Sequence, residues 1–268
     1  GINTSPDYVL NTNLLGTINC LNFAKKNKAK FIFLSTSRVY PIKTLNKIKY
    51  REDETRISLE NKQILAGVTL KGINENFDIK GARSFYGTSK LSSELLIQEY
   101  NEFYNLKSVI NRCGVLTGPW QMGKVDQGVV VLWIAKHFWK KELNYIGFGG
   151  EGKQVRDILH INDLFNLLDI QINNFKDYNG KTFNVGGGND VSISLSELTE
   201  LCENVIGNKI KINKVQKNRS ADIPIYISDN SKVQKLSSWK PENSPKQIIM
   251  DTFEWLKLNE SILKNILS

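Results

Sequence analysis

Tyr86 and Lys90 lie four residues apart in "SFYGTSK", and by type and spacing they are the pair best suited to moving a proton. Near the start of a helix this spacing puts both side chains on one face. A free phenol titrates near pH ~10 and is a poor base at neutrality. A neighbouring ammonium favours the phenolate and would make Tyr86 a usable proton acceptor. Upstream, the apolar run in "FLSTSRVYP" stops in three hydroxyl side chains, Ser35, Thr36 and Ser37, followed by Arg38. Ligands of α/β sheets bind at the carboxyl ends of the strands. A hydroxyl there could hold a substrate alcohol while Tyr86 takes its proton. The tyrosine–lysine spacing alone carries little weight, since a surface aromatic and an ordinary helix cation give the same letters.

The elements that must position these groups can be read from periodicity. Leu10, Leu14, Ile18 and Leu21 recur at helical spacing from Asp7 to about Lys26, with Ser5 as a cap and Pro6 at the first position. "AKFIFLST" is a short continuous apolar strand, the kind covered on both faces of a parallel sheet. Residues 42–83 are polar and weakly periodic, with a strand-like "AGVTL"; a connection this long is expected to be a lid or binding loop. A helix over Phe85–Tyr104 and a strand at "LKSVINRCGVL" come next. After "TGPWQMGKVDQG", a helix from Val129 to Trp139 is expected, then strands at "LNYIGF" and "QVRDILHI", a helix at "INDLFNLLDIQI" and a strand at "KTFNVGG". Ser194 and Glu197 form a capping box for a helix ended by Gly207; "KIKINKV" alternates as an edge strand does, and Ser244–Pro245 opens a last helix. Helices alternating with strands predict an α/β fold, a doubly wound parallel sheet carrying a smaller second lobe.

Composition narrows the class further. The chain is 40% hydrophobic and 24% charged, ordinary for a globular protein, and no apolar run approaches the roughly 18–20 residues of a membrane span. Its net charge is +9, but the lysines are scattered among acids with no block of five like charges. Neither nucleic acid nor a membrane is therefore expected as a partner, while a small anion such as a diphosphate suits the charge. Cys20, Cys113 and Cys202 form no C-x-x-C pattern, and His137 and His160 are the only histidines. Free thiols, no metal site and a cytoplasmic location are expected.

In order along the chain, the motifs resemble the extended short-chain dehydrogenase/reductases, specifically the NAD-dependent nucleotide-sugar epimerase/dehydratase family. "NTNLLGT" is similar to that family's N-x-x-G-T helix, "STSRVY" to its strand-end motif and "YGTSK" to its Y-x-x-x-K. "NRCGVLTGP" resembles R-x-x-N-x-x-G-P, "GEGKQVRDILHINDL" resembles G-x-G-x-Q-x-R-D, and "NRSADIPIYISD" carries Arg219 and Asp222 in the positions of a further motif. The resemblance implies a Rossmann-type sheet formed by residues 1–118 with 157–187 returning to it, and a substrate-binding lobe from 119–156 and 188–268. It implies NAD as cofactor, with Thr36, Tyr86 and Lys90 catalytic and with Asn13, Ser35, Tyr86, Lys90 and Cys113 at the cofactor. It implies a nucleotide-diphosphate sugar held by Gln127, Arg156, Arg219 and Asp222, and a homodimer or homotetramer. Within the family, "GPWQMGKVDQG", "GGEGKQVRD" and "FNVGGG" most resemble the enzymes that epimerise CDP-paratose at C2. A nucleotide-sugar 4-epimerase or reductase, and a catalytically dead sugar-nucleotide-binding relative, stay open as alternatives.

Four departures from the family pattern sharpen these expectations. Relatives that eliminate water or carbon dioxide keep a carboxylate just after the strand-end threonine, where this chain has Arg38. Arginine accepts no proton at working pH, so epimerisation is favoured over dehydration or decarboxylation. Gly147, Gly149 and Gly152 in "GFGGEG" match a dinucleotide fingerprint by letter, but a strand-like run follows, so no helix N-terminus meets a phosphate there. The glycine loop that relatives place ahead of the first helix does not occur in the sequence; a fragment of a longer chain is expected, inactive by itself. The family's asparagine in the R-x-x-N strand is Val115, and the glycine after V-Y is Pro41.

Overall fold

Six consecutive residues, Ser108–Cys113, are all buried, as befits the middle strand of a parallel sheet covered on both sides. The computed structural model describes residues 5–123, 127–219 and 221–267. The first helical stretch runs through α1 (Pro6–Leu10), a π-helical turn at Asn11–Leu15 and α2 (Gly16–Lys26). β1 (Phe31–Thr36) leads into a 3-10 turn at Ser37–Val39. Residues 42–83 contain α3 (Ile42–Leu45) and two hairpins, β2 (Tyr50–Glu52) with β3 (Ile57–Leu59) and β4 (Val68–Thr69) with β5 (Gly72–Ile73). Then come α4 (Phe85–Tyr104), β6 (Ser108–Cys113), β7 (Val115–Thr117), α5 (Val129–Phe138) and β8 (Leu143–Ile146). β9 (Val155–His160), α6 (Ile161–Asn173), α7 (Phe175–Tyr178), β10 (Lys181–Val185), β11 (Ser192–Ser194) and α8 (Leu195–Ile206) follow. The chain closes with β12 (Ile212–Val215), β13 (Ile225–Tyr226), α9 (Ser231–Gln234), α10 (Pro245–Leu258) and α11 (Glu260–Leu267).

The central sheet has the order β1-β6-β10, all parallel. Strand residues alternate between faces. Phe33 and Ile110 meet Leu21 of α2 and Ile97 of α4 on one side. Val109, Cys113 and Phe183 meet Leu164 and Leu167 of α6 with Phe175 and Tyr178 of α7 on the other. Helices on both faces of a parallel sheet make this a Rossmann-type doubly wound fold. A second sheet, β11-β9-β13 with β7 beside β9, adjoins it, and β12 pairs with β8. Around these, α5, α8 and α10 pack through Val131, Ile134, Leu198, Ile248 and Leu256. No helix among the described residues is long and apolar enough to cross a membrane.

Three expectations need adjustment. Residues 42–83 are not a loose lid: Leu45, Ile48, Ile57, Leu59, Val68, Ile73 and Phe77 are buried with Tyr40, Ile225 and Ile227 in a core of their own. Polar letters hid this because the apolar residues are spread over turns and two-to-three-residue strands rather than one period. The strand at "LKSVINRCGVL" breaks at Gly114, so Val115 leaves the central sheet and pairs with Ile158 of β9. The last helix ends at Leu258, and a separate α11 follows.

The junction between the two sheets is built on Asp157, which is fully buried. Its Oδ2 accepts from the backbone N–H groups of Ser228 (3.0 Å) and Gly188 (3.3 Å). Burial pushes this carboxyl up from its ordinary value, and those hydrogen bonds oppose the push. Gly186 lies against it, where an added Cβ would collide with the Asp157 carboxylate and the Ser228 hydroxyl. Gly186→Ala is therefore expected to destabilise the protein by about 1–3 kcal/mol through overpacking, read as a lower urea midpoint.

Candidate active site

α4 starts sharply because Ser84 caps it, its hydroxyl accepting from the Gly87 N–H at 3.1 Å. That start puts Tyr86 in the first turn, with Lys90 and Glu94 one and two turns further on the same face. The turn bearing Tyr86 sits tightly on the 3-10 turn after β1. A Cβ at Gly87 would collide with the Arg38 carbonyl oxygen, so only glycine permits this approach.

Three successive turns of α4 thus meet the end of β1. The Tyr86 hydroxyl is hydrogen-bonded to Thr36. Lys90 Nζ donates to the Leu34 carbonyl at 3.0 Å and lies 4.7 Å from the centre of the Phe33 ring. Glu94 accepts from the Ser35 hydroxyl and clasps Arg112 of β6, with Arg112 Nε 3.1 Å from both carboxylate oxygens and a second nitrogen 2.6 Å from Oε2. Thr36 Oγ1 also accepts from the Arg38 backbone N–H at 3.2 Å.

The sequence led to Thr36, Tyr86 and Lys90 as a group, and the structure brings all three to the carboxyl edge of β1. In this structure the Lys90 ammonium is engaged by a strand carbonyl. Burial raises the Tyr86 phenol, the Thr36 hydrogen bond and the Arg38 charge pull it back, and Lys90 is not among the charges acting on it. The ammonium instead turns to a strand carbonyl one turn along the helix. Its own value is lowered by burial. The Ser35 hydroxyl donates to Glu94 of α4. Cys113 stands opposite Thr36 in the β1–β6 register, with its thiol pushed up to about 12 by burial. It is inert as a nucleophile at neutral pH. Asn13 lies in the π-helical turn and donates to the Ser89 hydroxyl at 3.1 Å, which in turn donates to the Tyr86 carbonyl at 2.8 Å. It braces α4.

The substrate candidates form a second cluster. One terminal guanidinium nitrogen of Arg156 donates to Asp222 Oδ1 (3.2 Å) and to the Ile223 carbonyl (2.7 Å). Asp222 therefore anchors Arg156. The Arg156 guanidinium is brought down to about 10 by burial first and by the Arg38 charge second, with Asp222 and Asp157 opposing. Arg38 thus stands within electrostatic reach of both Tyr86 and Arg156, and its own guanidinium has no ion pair among the described residues. Arg219 is exposed, and its carbonyl accepts from the Asp222 N–H at 3.3 Å. Gln127 is exposed immediately before the left-handed Gly128 that opens α5; residues 124–126 of the same motif lie outside the described residues. Gly147–Gly152 makes a 3-10 turn at Phe148–Gly150 and is followed by β9, not by an α-helix, as the strand-like letters indicate. A separate crevice of about 310 Å³, lined by Arg56, Ser58, Leu70, Asn189 and Ser192 among others, involves none of these residues.

Sequence reasoning missed the polar chain behind the site. Arg112 also donates to the Tyr40 hydroxyl (3.3 Å), Tyr40 donates to Asn184 Oδ1 (2.8 Å), and Asn184 donates to the Ile73 carbonyl and to Glu75. Burial alone would lower Arg112, but Glu94 and Tyr40 outweigh it and the guanidinium is held firmly charged. A signal was present: an arginine inside a six-residue buried strand requires a partner, and Glu94 lies eight residues after Tyr86 on the same helix face.

The arrangement is thus a hydroxyl pair at a strand end, a lysine one turn from the tyrosine, and Arg38 near enough to act on both Tyr86 and Arg156. A model of the NAD dependent epimerase/dehydratase family matches residues 2–186, and the chain belongs to that family. CDP-paratose 2-epimerase of Salmonella typhi is 28% identical over 257 residues, which cover 94% of this chain and 72% of that protein. UDP-glucuronate 4-epimerase of Thermodesulfobacterium geofontis is 27% identical over 265 residues, covering 98% of this chain and 70% of the relative. Among solved structures, Pal from Bacillus thuringiensis superposes with a TM-score of 0.73 at 27% identity, covering 93% of this chain and 69% of that one. dTDP-glucose 4,6-dehydratase from Bacillus anthracis, in complex with NAD, shares the fold with a TM-score of 0.73 at 24% identity, covering 96% and 71%.

The competing pulls on Tyr86 can be separated experimentally. Removing Arg38 as Arg38→Met is expected to move the Tyr86 titration upward, whereas Lys90→Met leaves it nearly in place. The measurement is the pH dependence of the Tyr86 resonance in protein labelled with carbon-13 at the tyrosine ζ carbon.

Proposed function

We propose that the protein epimerises a nucleotide-diphosphate sugar through a transient keto sugar, with CDP-paratose the favoured substrate and C2 the carbon inverted. The observation that carries this is Arg38. It occupies the place where an eliminating or decarboxylating relative keeps an acid, and a guanidinium can take no proton from the carbon beside a ketone. The family cofactor fits the donor set at the end of β1: Lys90 would hold the ribose next to the nicotinamide, with Asn13 bracing the helix beneath and Cys113 lining the floor. NAD bound there supplies oxidation of the sugar carbon and its reversal. Tyr86 accepts the proton of the reacting hydroxyl and returns it, and Thr36 donates a hydrogen bond to the same oxygen.

Arg38 and Arg156 repel each other unless an anion lies between them, and a diphosphate is such an anion.

The test incubates the full-length protein, with the region ahead of residue 1 restored, with NAD and CDP-paratose and follows the C2 proton by NMR, with UDP-glucose and UDP-glucuronate as comparators. Interconversion at C2 is expected, and Tyr86→Phe should slow it about 10²–10⁴-fold. Inversion at C4 of a UDP-sugar, with CDP-paratose untouched, would replace this reading by a 4-epimerase.

A further inference from the structure

Glu94 is a buried carboxylate that the proposed chemistry does not use. It is 1% exposed, it holds Arg112 through three hydrogen bonds, and it takes a fourth from Ser35. Its location matters more than its burial. Tyr86, Lys90 and Glu94 follow each other at intervals of one helical turn, about 5.4 Å along the axis. Each touches β1 or its register partner in β6: Tyr86 at Thr36, Lys90 at Leu34, Glu94 at Ser35 and Arg112. Ser35 and Arg112 are themselves paired in the β1–β6 register.

Of these three contacts only one is rigid. A lysine ammonium on a four-carbon stem can follow a helix that slides by an ångström. The Tyr86–Thr36 hydrogen bond is the feature to be positioned and cannot position itself. A carboxylate gripping a planar guanidinium at several points has little freedom in distance or angle. Arg112 is fixed in turn by Tyr40, whose hydroxyl is fixed by Asn184. At the other end of the same stretch, Gly87 rests on the Arg38 carbonyl, which sets how closely the helix approaches the strand.

We propose that Glu94 is a positioning residue: its clasp on Arg112 sets the rotation and depth of α4, and thereby brings the Tyr86 hydroxyl against Thr36. The Glu94–Arg112 pair then serves register and not stability. Buried ion pairs replaced by neutral residues of similar volume often lose no stability, whereas breaking one partner does. The two roles therefore separate in a double variant.

The experiment compares Glu94→Gln, Glu94→Asp and the double variant Glu94→Gln/Arg112→Met. Two readouts are taken: the carbon-13 ζ resonance of Tyr86, identified by its absence in Tyr86→Phe, and steady-state kinetics on the sugar nucleotide. The resonance readout does not depend on the epimerase reading, and the kinetic one does. Glu94→Gln alone should unfold at lower urea, because Arg112 is left charged and unpaired. The double variant should recover most of that loss and still show a displaced Tyr86 resonance. Its kcat should fall about 10²-fold, as for an ångström-scale misplacement, with KM changed less than about twofold. Glu94→Asp, which keeps the charge but shortens the arm, should displace the resonance in a folded protein even if the double variant does not fold. An unchanged Tyr86 resonance in either folded variant overturns the proposal. A displaced resonance in a protein that turns over none of the sugars tested upholds it and counts against the epimerase reading alone.

Discussion

A guanidinium in the middle strand of a sheet covered on both faces has no water to turn to, and the arrangement around Arg112 follows from that constraint. The charge can stay only if a carboxylate reaches it and the remaining donors find oxygens. Glu94 comes from the helix above, Ser35 from the neighbouring strand, Tyr40 from the turn after it, and Asn184 from the strand on the far side. Satisfying one charge therefore draws together four elements whose ends make up the site. The apolar clusters on either face supply the burial, but they are tolerant of small slides; the polar chain is not.

The same constraint explains why the substrate side can carry excess positive charge. Arg112 is neutralised internally, and Arg156 is half-neutralised by Asp222 and two carbonyls. Arg38 is left to face outward beside them. Burial first and the Arg38 charge second bring the Arg156 guanidinium down to about 10, with Asp222 and Asp157 opposing. In the proposed function, affinity for a diphosphate and suppression of carbon-acid chemistry both rest on the one side chain of Arg38.

Much of this was legible in the letters. The helices over Phe85–Tyr104 and from Val129, the strand run at "FIFLST" and the Ser194–Glu197 capping box are local features, written in periodicity and caps, and the structure has them in those places. The meeting of Tyr86 with Thr36 was legible because both lie at element ends whose order the fold class dictates. What failed to show was side-chain direction. Lys90 at helical spacing from Tyr86 reads as its electrostatic partner, yet the nearer strand carbonyl takes the ammonium. Ser35 and Thr36 are adjacent letters with similar chemistry, yet they meet different turns of α4, Ser35 at Glu94 and Thr36 at Tyr86. The segment 42–83 was opaque for another reason: its core is made with residues far away in sequence, such as Ile225 and Ile227, which no local window contains.

The reach of the polar chain along the sequence has a consequence for how the molecule assembles. Ser35 and Glu94 are separated by 59 positions, Arg112 and Tyr40 by 72, and Tyr40 and Asn184 by 144. Loop closures of that length are slow to form and gain nothing until both ends are present. On a chain emerging from the ribosome, Glu94 and Tyr40 are already made when Arg112 appears, and only the Asn184 end of the polar chain comes later. The polar chain is closed only when β10 joins the sheet.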